Sequence, residues 1–355
     1  MSELDPLALD AAFAVAARQV DEGVAPWAVL GVASRDRVVR IDAFSPAGRH
    51  PRVGMGSVGL LASISKPIFA TVVMQLVAEG RLSLRQPVEE ILPEVARTRP
   101  IGAASITPWH LLGHTSGLVD LDIAGLLSRC ETHEEAVRVL LEEPPRWAPG
   151  ERHAYATATF DLLGALVTKV DGRPYAEALR VRVLDPLGMH DTTFDPRVSH
   201  AERLVVPLTS TAPGAGPFDD ATMGAFIRLA MPGAGLWSTA SDVLRFGRAF
   251  LRDGELEGAR ILPAAHVALM TREVTIGGLG RAADPLEDAH YALGWGTPDP
   301  ASPGSARAFG HGGITGTRLW VDPANDLVIA YLTGAWDQPP WAADRVLHAV
   351  FAALR

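Results

Sequence analysis

Cysteine is scarce in this chain, and its 32 basic residues are outnumbered by 41 acidic ones. Its one cysteine, Cys130, excludes an internal disulfide and leaves no thiol cluster for zinc. The formal net charge of the 355 residues is -9 at pH 7, and the sequence contains no basic run. Both features argue against a nucleic acid or an anionic membrane surface as a partner.

Long apolar runs are absent too. No stretch reaches the roughly 18 uninterrupted apolar residues that a membrane-spanning helix needs. Glu3, Asp5 and Asp10 stand where a secretory signal would carry basic residues followed by an apolar run. The sequence therefore predicts a cytoplasmic protein that begins with an amphipathic helix over residues 1–20.

Lysine is rare, although arginine is not. Of the 32 basic residues only Lys66 and Lys169 are lysines. An ammonium group can lose its proton, whereas a guanidinium in practice cannot. Because Lys66 follows Ser63 by three residues, it could serve as the base that activates the serine hydroxyl. The spacing alone leaves open that Lys66 is only a surface charge on a helix.

Apolar residues are abundant, at 48% of the chain, which is enough for a sizeable core in one large domain or two. Strand patterns occur near both ends of the chain, and helical patterns lie between them. The predicted strands are 27–35, 37–45, 306–311, 316–322 and 326–334, and the first two suggest a hairpin. The predicted helices after the first are 63–79, 86–97, 107–114, 132–142, 159–172, 175–188, 241–254 and 342–354.

This order of elements predicts an α/β (α+β) fold. We expect an antiparallel sheet flanked by helices and built from both termini, with a mostly helical lobe inserted between them. The whole chain, 1–355, would be one unit. Its sheet lobe would comprise 1–60 with 225–355, its helical lobe 61–224, and the active site would lie between the lobes.

The segment around Ser63 predicts a buried helix. Pro67 is tolerated only in the first turn of a helix, so the helix must begin close to Ser63. Free backbone N–H groups at such an N-terminus can stabilise a developing oxyanion. Lys66 would lie one turn on, on the same face, where burial would depress its pKa. The apolar residues at helical spacing are Ile68, Phe69, Val72, Val73, Leu76 and Val77.

Two further elements could complete a site. Tyr155, one of only four tyrosines, precedes the helix predicted over 159–172, and it suits either a proton shuttle or ordinary core packing. His311, with Gly312 and Gly313 after it, ends a predicted strand whose backbone could approach a substrate closely. A strand that merely ends in a glycine turn is the alternative.

In this order and at these separations, the three elements resemble the serine β-lactamase and penicillin-binding-protein superfamily. The similarity is greatest to the class C-like β-lactamases and the related carboxylesterases, and it runs from about residue 25 to about residue 335. The segments that carry it are SISKPIFATVVMQLVAEGRLSLRQPVEEILPE, ITPWHLLGHTSGL, PGERHAYATATFDLLGALV, VLDPLGMHDTTF, GAGLWSTASDVLRFGRAFL and YALGWG.

The resemblance implies a role for each matching residue. Ser63 would be the acylated nucleophile, and Lys66 would take its proton. Tyr155 would relay a proton to the leaving group and then activate water for deacylation. The backbone N–H groups of Ser63 and Ile314 would form the oxyanion hole. No metal or organic cofactor is implied, and the partner would be a small ester or amide.

The resemblance also suggests which residues line the substrate site. His311, Gly312 and Gly313 stand at the family's Lys-Thr-Gly box, and Thr157 stands at the third position of its Tyr-x-Asn motif. Trp237 and Trp295 lie in segments that the family's layout places near the cleft. They are therefore candidates for the wall of an acyl pocket, although buried tryptophans more often belong to the core.

Two departures from the family pattern bear on the substrate. Thr157 replaces the amide that could bind an acylamide side chain, and His311 replaces the fixed cation that attracts a β-lactam carboxylate. No Glu-x-x-Leu-Asn segment is found, so deacylation would have to use Tyr155 and Lys66. We therefore expect a serine hydrolase of small carboxylic esters. The alternatives are a β-lactamase or D-amino-acid peptidase, an acyltransferase, and a catalytically silent binding protein.

One metal-like pattern is discounted. His110 and His114 in HLLGH have the i, i+4 spacing of metal ligands. The pattern lacks the adjacent glutamate of a zinc peptidase, and it runs into Thr-Ser-Gly. We interpret it as a structural loop.

Overall fold

A computed structural model describes residues 4–46, 53–98, 104–118, 120–121, 123–212, 214–272, 274 and 290–355. The strands in these residues are β1 (Ala28–Ala33), β2 (Val38–Phe44), β3 (Gly59–Leu60), β4 (Trp237–Ser238), β5 (Glu255–Leu256), β6 (Ala259–Arg260), β7 (Phe309–Gly312), β8 (Arg318–Asp322) and β9 (Leu327–Leu332). The helices are α1 (Pro6–Asp21), α2 (Ser65–Ala78), α3 (Pro108–Leu112), α4 (Ile123–Arg129), α5 (His133–Leu140), α6 (Thr159–Asp171), α7 (Tyr175–Leu179), α8 (Asp185–Leu187), α9 (Pro196–Ser199), α10 (Asp220–Leu229), α11 (Ala240–Leu251), α12 (Ala264–Thr271) and α13 (Pro340–Phe351).

The main sheet has five antiparallel strands in the order β2-β1-β9-β8-β7. The predicted hairpin of β1 and β2 is present, and β1 pairs on its other side with β9, so that Leu30 lies opposite Tyr331. The early and late parts of the chain therefore share one sheet. The expected fold class, an antiparallel sheet with flanking helices, is confirmed.

Helices cover both faces of this sheet. Successive side chains of a strand point to opposite faces, so the neighbours of β1 show what covers each face. Leu30 and Val32 of β1 pack in a cluster with residues of α1 and α13. Val29 and Ala33, which alternate with them, belong to the cluster that contains α11 and α2. All six residues of β1 are buried, as a central strand covered on both faces requires.

Local sequence signals explain where several helices begin. The Asp5 carboxylate accepts hydrogen bonds from the N–H groups of Leu7 (2.9 Å) and Ala8 (3.1 Å), and Pro6 occupies the first turn of α1. Helix α2 begins at Ser65 and follows a 3₁₀ turn over Ala62–Ile64. Eleven of the 14 residues of α2 are buried, which is typical of a helix that is apolar on all sides.

The helix predicted over 86–97 is wrong. The chain forms two short 3₁₀ turns there, Val88–Glu90 and Pro93–Thr98. Pro87 and Pro93 account for the difference, since a proline lacks the N–H that an α-helix needs and disfavours helical backbone in the residue before it.

No helix of the described residues is both long and apolar enough to cross a membrane. The lobe boundaries expected after residues 60 and 224 remain a prediction.

Candidate active site

Ser63 lies in the 3₁₀ turn that precedes α2, beside short strand β3. The residue before it, Ala62, has a φ of +49°, a left-handed backbone conformation that is uncommon for alanine. A hydrogen bond from the Leu61 N–H to the Leu236 carbonyl (2.8 Å) fixes the chain on one side of this residue. The Ser65 hydroxyl, which accepts from the Leu236 N–H (3.1 Å), fixes it on the other. The surrounding structure thus holds the strained turn that presents Ser63.

Lys66 is fully buried, and its ammonium Nζ contacts three oxygen atoms. These are Ser63 Oγ at 3.1 Å, the Gly233 carbonyl at 3.0 Å and Thr157 Oγ1 at 3.3 Å. A charged lysine can donate to all three. A neutral amine can donate to Gly233 and Thr157 while its lone pair accepts from the Ser63 hydroxyl. The site therefore accommodates Lys66 before and after it takes the serine proton.

Burial lowers the pKa of Lys66 from 10.5 to about 7. The negative charges of Asp120 and Asp161 act in the opposite direction and keep the pKa from falling further. The aromatic rings of Tyr155 and Phe160 lie 4.7 Å and 5.5 Å from Nζ, where they favour the ammonium form. A substantial fraction of Lys66 is therefore neutral near pH 7, as a general base must be.

Tyr155 lies where the sequence predicted it, just before α6. Tyr155 is 37% exposed, but the protein packed around its hydroxyl desolvates the phenolate and raises the pKa of Tyr155 above its ordinary value, and hydrogen bonds with the Ser63 and Thr157 hydroxyls offset part of that effect. The phenol therefore stays protonated at neutral pH. In this geometry Tyr155 can pass or donate a proton, whereas Lys66 is the group able to accept the first one.

Thr157 is 6% exposed, and its hydroxyl contacts Lys66. The sequence suggested that it borders the substrate, but the structure turns its side chain toward the lysine. Gly233, whose carbonyl accepts another hydrogen bond from Lys66, packs tightly here, because an added Cβ would come within 2.9 Å of Phe160 Cβ. Glycine is thus needed for this carbonyl to reach the ammonium.

The His311 side chain is buried, and each of its ring nitrogens forms one hydrogen bond. Its Nδ1 lies 2.8 Å from the Gly312 carbonyl, which can only accept, so Nδ1 carries the proton. Its Nε2 must then accept from the Tyr291 hydroxyl at 3.0 Å. Burial, with the charge of Lys66 as a smaller cause, lowers the pKa of His311 to about 3. His311 is therefore neutral near pH 7.

The loop after β7 lies directly against the turn that carries Ser63. The hydroxyl of Thr317 donates to the Leu61 carbonyl (2.9 Å), and that of Thr315 donates to the Leu60 carbonyl (3.3 Å). An added Cβ at Gly313 would lie 2.6 Å from the Leu61 carbonyl oxygen, so only glycine allows this approach. Ile314, whose backbone N–H is the second expected oxyanion donor, lies in this loop and is 41% exposed.

Three further residues lie beside these groups, and no pattern in the sequence assigned them to the site. His114 accepts a hydrogen bond from the Ala156 N–H at its Nδ1 (3.2 Å), and its carbonyl accepts from the Ala154 N–H (2.8 Å). Its ring lies 4.4 Å from that of Tyr155. His114 thus holds the backbone on both sides of Tyr155 and supports its ring.

Asp120 and Tyr291 are the other two. Asp120 accepts from the Ala158 N–H (3.2 Å) at the start of α6, and Tyr291 bonds His311. The segments HTSGL and YALGWG contain or adjoin these residues, but no spacing rule in the sequence assigns them a contact.

Trp237 and Trp295 do not reach the surface of a cleft. Both are 0% exposed. Trp295 stacks on Phe246 with ring centroids 5.7 Å apart, and Trp237 belongs to the cluster that contains Phe226. The structure gives both residues a place in the core, so neither presents a wall to an acyl group.

The two histidines of HLLGH serve different backbone segments. The Nδ1 of His110 accepts from the Thr107 N–H (3.1 Å) and thereby caps α3, whereas His114 supports residues 154–156. In the described part of the chain, no group of three or more potential metal-ligating side chains comes together.

The arrangement as a whole can perform acyl transfer. Three elements surround the Ser63 hydroxyl: the buried Lys66 amine of lowered pKa, the protonated Tyr155 phenol and the loop after β7. These are the parts that a covalent nucleophilic mechanism requires.

Comparison with known proteins shows which family this chain resembles as a whole. A family model described as Beta-lactamase matches residues 14–353. Esterase EstB of Burkholderia gladioli is 32% identical over 311 residues, which cover 77% of this chain and 76% of that protein. The D-alanyl-D-alanine-carboxypeptidase/endopeptidase AmpH of Escherichia coli is 26% identical, covering 86% and 78%. The solved structure of EstCE1, a hydrolase with promiscuous acyltransferase activity, superposes with a TM-score of 0.83 at 23% identity, covering 97% and 98%.

Proposed function

The chain belongs to the beta-lactamase family of serine hydrolases, and on that premise we propose that it cleaves small carboxylic esters through an acyl-enzyme on Ser63. The observation that carries the proposal is the contact of 3.1 Å between Lys66 Nζ and Ser63 Oγ, made by a lysine whose pKa burial lowers to about 7. Such a lysine can take the serine proton near neutral pH.

The proposed reaction has two halves. Ser63 Oγ attacks the ester carbonyl carbon while its proton moves to Lys66 Nζ, and the resulting oxyanion accepts hydrogen bonds from the N–H groups of Ser63 and Ile314. The intermediate collapses as the C–O bond to the alcohol breaks. The proton on Lys66 passes to the departing alcohol oxygen, with the Tyr155 hydroxyl as relay.

Deacylation repeats these steps with water. Lys66, neutral again, takes a proton from a water molecule through Tyr155, and the hydroxide attacks the acyl carbon. The bond to Ser63 Oγ then breaks, and the serine recovers its proton. The acid product leaves, and the atoms of ester and water are balanced by acid and alcohol.

The electrostatics of the site favour an ester over a β-lactam or a peptide terminus. Those substrates bear a carboxylate, and the residue at the position of the family's fixed cation is the neutral His311. Thr157, at the position of the family's amide, faces Lys66. An uncharged ester requires neither group. The relative named Esterase EstB agrees with this choice.

The test compares p-nitrophenyl acetate, butyrate and octanoate, with nitrocefin as the β-lactam, in wild type and Ser63→Ala. We expect ester turnover well above that of nitrocefin and its loss in Ser63→Ala. Ser128→Ala is a control variant, because Ser128 is exposed and its hydroxyl bonds the Gly125 carbonyl within α4. Equal ester turnover in wild type and Ser63→Ala would refute the proposal.

Turnover assays of the same kind distinguish the alternative functions. Nitrocefin or D-Ala-D-Ala turnover above ester turnover would indicate a β-lactamase or peptidase. Capture of the acyl group by an added alcohol, faster than by water, would indicate an acyltransferase.

A further inference from the structure

Acylation of Ser63 removes a hydroxyl that links two other groups of the site. In the free enzyme Ser63 Oγ lies 3.1 Å from Lys66 Nζ, and it is also hydrogen-bonded to the Tyr155 hydroxyl. Once Ser63 Oγ carries an acyl group, it has no hydrogen to pass on. A proton that travels from water through Tyr155 to Lys66 therefore needs another route during deacylation.

Lys66 and Tyr155 are close to each other but not directly linked. Lys66 Nζ lies over the Tyr155 ring, 4.7 Å from its centroid. Among the described residues, none of the Nζ hydrogen bonds goes to the Tyr155 hydroxyl; the three partners are Ser63, Gly233 and Thr157. The Gly233 carbonyl can only accept a hydrogen bond, so it cannot pass a proton on. Thr157 is the partner that remains.

The hydroxyl of Thr157 bridges the two groups. Thr157 Oγ1 lies 3.3 Å from Lys66 Nζ, and the same side chain forms a hydrogen bond with Tyr155. A hydroxyl both donates and accepts, and its hydrogen can rotate from one partner to the other. It can therefore take a proton on one side while it releases its own on the other.

The structure holds Thr157 firmly in this place. Its side chain is buried, with 6% exposed. The Ala156 N–H before it donates to His114 Nδ1 (3.2 Å), and the Ala158 N–H after it donates to Asp120 Oδ1 (3.2 Å). The backbone is thus fixed on both sides of the residue, and its hydroxyl stays between Lys66 and Tyr155.

We propose that Thr157 is a proton relay from Tyr155 to Lys66 in deacylation. The inference rests on the proposed esterase function and adds a residue to the second half of its reaction. Acylation does not need the relay, because Ser63 and Lys66 are in direct contact.

In the proposed step each proton moves by one place. A proton of water goes to the Tyr155 oxygen as the water oxygen bonds to the acyl carbon. The Tyr155 proton goes to Thr157 Oγ1, and the Thr157 proton goes to the lone pair of the neutral Lys66 amine. When the bond from the acyl carbon to Ser63 Oγ breaks, Lys66 returns its proton directly to Ser63. Tyr155 and Thr157 end as the neutral hydroxyls that they were, and water and acyl group leave as the acid.

An amide at this position would lack the property that the relay needs. Thr157 stands at the third position of the family's Tyr-x-Asn motif. The oxygen of an asparagine side chain only accepts and its nitrogen only donates, so neither atom can do both. Thr157→Asn therefore separates a relay from a residue that merely holds Lys66 by a hydrogen bond.

The experiment measures acylation and deacylation separately with p-nitrophenyl butyrate. Its alcohol leaves as an anion that needs no proton from the enzyme, so the relay does not enter acylation. Stopped-flow detection of p-nitrophenolate in the first turnover gives the acylation rate. The decay of the butyryl adduct after the substrate is exhausted, followed by intact-protein mass, gives the deacylation rate.

Thr157→Val keeps the size of the side chain and removes its hydroxyl. We expect acylation close to the wild-type rate and deacylation slower by about tenfold or more, since general acid–base catalysis commonly contributes more than that. Thr157→Ser should recover most of the deacylation rate, whereas Thr157→Asn should be as slow as the valine variant. Thr271→Val is the matched control with both rates unchanged, because the Thr271 hydroxyl donates to the Val267 carbonyl within α12.

Three results would overturn the relay. They are a wild-type deacylation rate in Thr157→Val, a parallel loss of acylation and deacylation in that variant, and a recovery in Thr157→Asn equal to that in Thr157→Ser. If the valine variant does not fold, the serine and asparagine variants still decide. Each of these results would leave Ser63-dependent turnover in the wild type. Absence of that turnover would instead refute the esterase function itself, and the relay with it.

Discussion

Lys66 shows why a single residue type decides the chemistry. Its three oxygen contacts fit an ammonium or an amine, and burial places its pKa at about 7. An arginine in the same place could not lose its proton. The scarcity of lysine in the sequence therefore pointed to the group that the structure buries beside Ser63.

The pH dependence of the reaction should follow Lys66. The base works when it is neutral, so kcat/KM for p-nitrophenyl butyrate should rise with pH through a midpoint near 7 and then level off. His311, with a pKa of about 3, stays neutral across that range, and so does His153, whose ring lies 5.9 Å from that of His114 and whose pKa is about 4. Neither histidine adds a step. The rates are corrected for background by subtracting those of Ser63→Ala. A flat profile between pH 5 and 9 would contradict the role of Lys66.

His114 is expected to act as a positioning residue for Tyr155. His114→Leu removes the acceptor for the Ala156 N–H and the ring beneath Tyr155, so kcat should fall about tenfold or more, with less change in KM. His114→Asn should retain most of kcat, because Asn Oδ1 can replace Nδ1 as acceptor. Asparagine also tolerates the φ of +53° at this position.

A purely structural role for His114 would give a different result. Both variants would then lose thermal stability, while kcat per correctly folded molecule, counted by burst titration, would stay at the wild-type value. That outcome, or equal losses of kcat in the leucine and asparagine variants, would remove the positioning role.

At the residue scale, the sequence singled out some residues of the candidate site and not others, and the reason is physical. Ser63, Lys66 and Tyr155 could be singled out because the chemistry needs rare residue types at short or family-typical spacing. The contacts of His114 and Tyr291 join segments that are far apart in the chain. A local pattern holds no information on such contacts. The neutral state of His311 follows from burial and from the Tyr291 hydrogen bond, which only the folded chain reveals.

At the scale of elements, hydrophobic periodicity predicted most helices and strands. It succeeded for α2, α6, α11 and the strands of the main sheet, because each buries an apolar face. It failed over 86–97, where two prolines outweigh the periodicity. It also could not predict that the loop after β7 packs against Leu60 and Leu61, since that contact depends on two threonine hydroxyls.

Two helix glycines test how tightly the site's supporting elements pack. Gly247 lies in α11 against the sheet, where an added Cβ would come within 2.4 Å of Val328 Cγ1. Gly224 lies in α10 with nothing within 4 Å of an added Cβ. Gly247→Ala should lower the free energy of unfolding by about 1–3 kcal/mol, because overpacking outweighs the gain in helix propensity. Gly224→Ala should raise it by up to about 1 kcal/mol.

Urea denaturation of the two variants measures both effects. An increase in stability for Gly247→Ala would mean that α11 can move away from β9 at little cost. The packing described between the helix and the sheet would then be wrong.

At the scale of the whole molecule, the strand-rich ends of the sequence were sufficient to predict one antiparallel sheet with helices inserted between its strands. The structure adds that β7, an edge of this sheet, brings its glycine-rich end to the turn before α2. The sheet and the helices thus meet at Ser63. Hydrophobic periodicity predicts β7 and α2 one by one, but not that they meet. Their relative placement depends on packing over the full chain, which single segments do not encode.

The most direct test of the central claim is the intact-protein mass of wild type and Lys66→Arg during turnover of p-nitrophenyl butyrate. Circular dichroism and the melting temperature of the variant provide the control for folding. The wild type should gain the mass of one butyryl group, and this adduct should be absent from Ser63→Ala. Lys66→Arg keeps the positive charge but cannot accept the serine proton, so we expect no adduct and turnover at the level of Ser63→Ala. Near-normal acylation and turnover in a folded Lys66→Arg would contradict the account, because Lys66 would then not be the base.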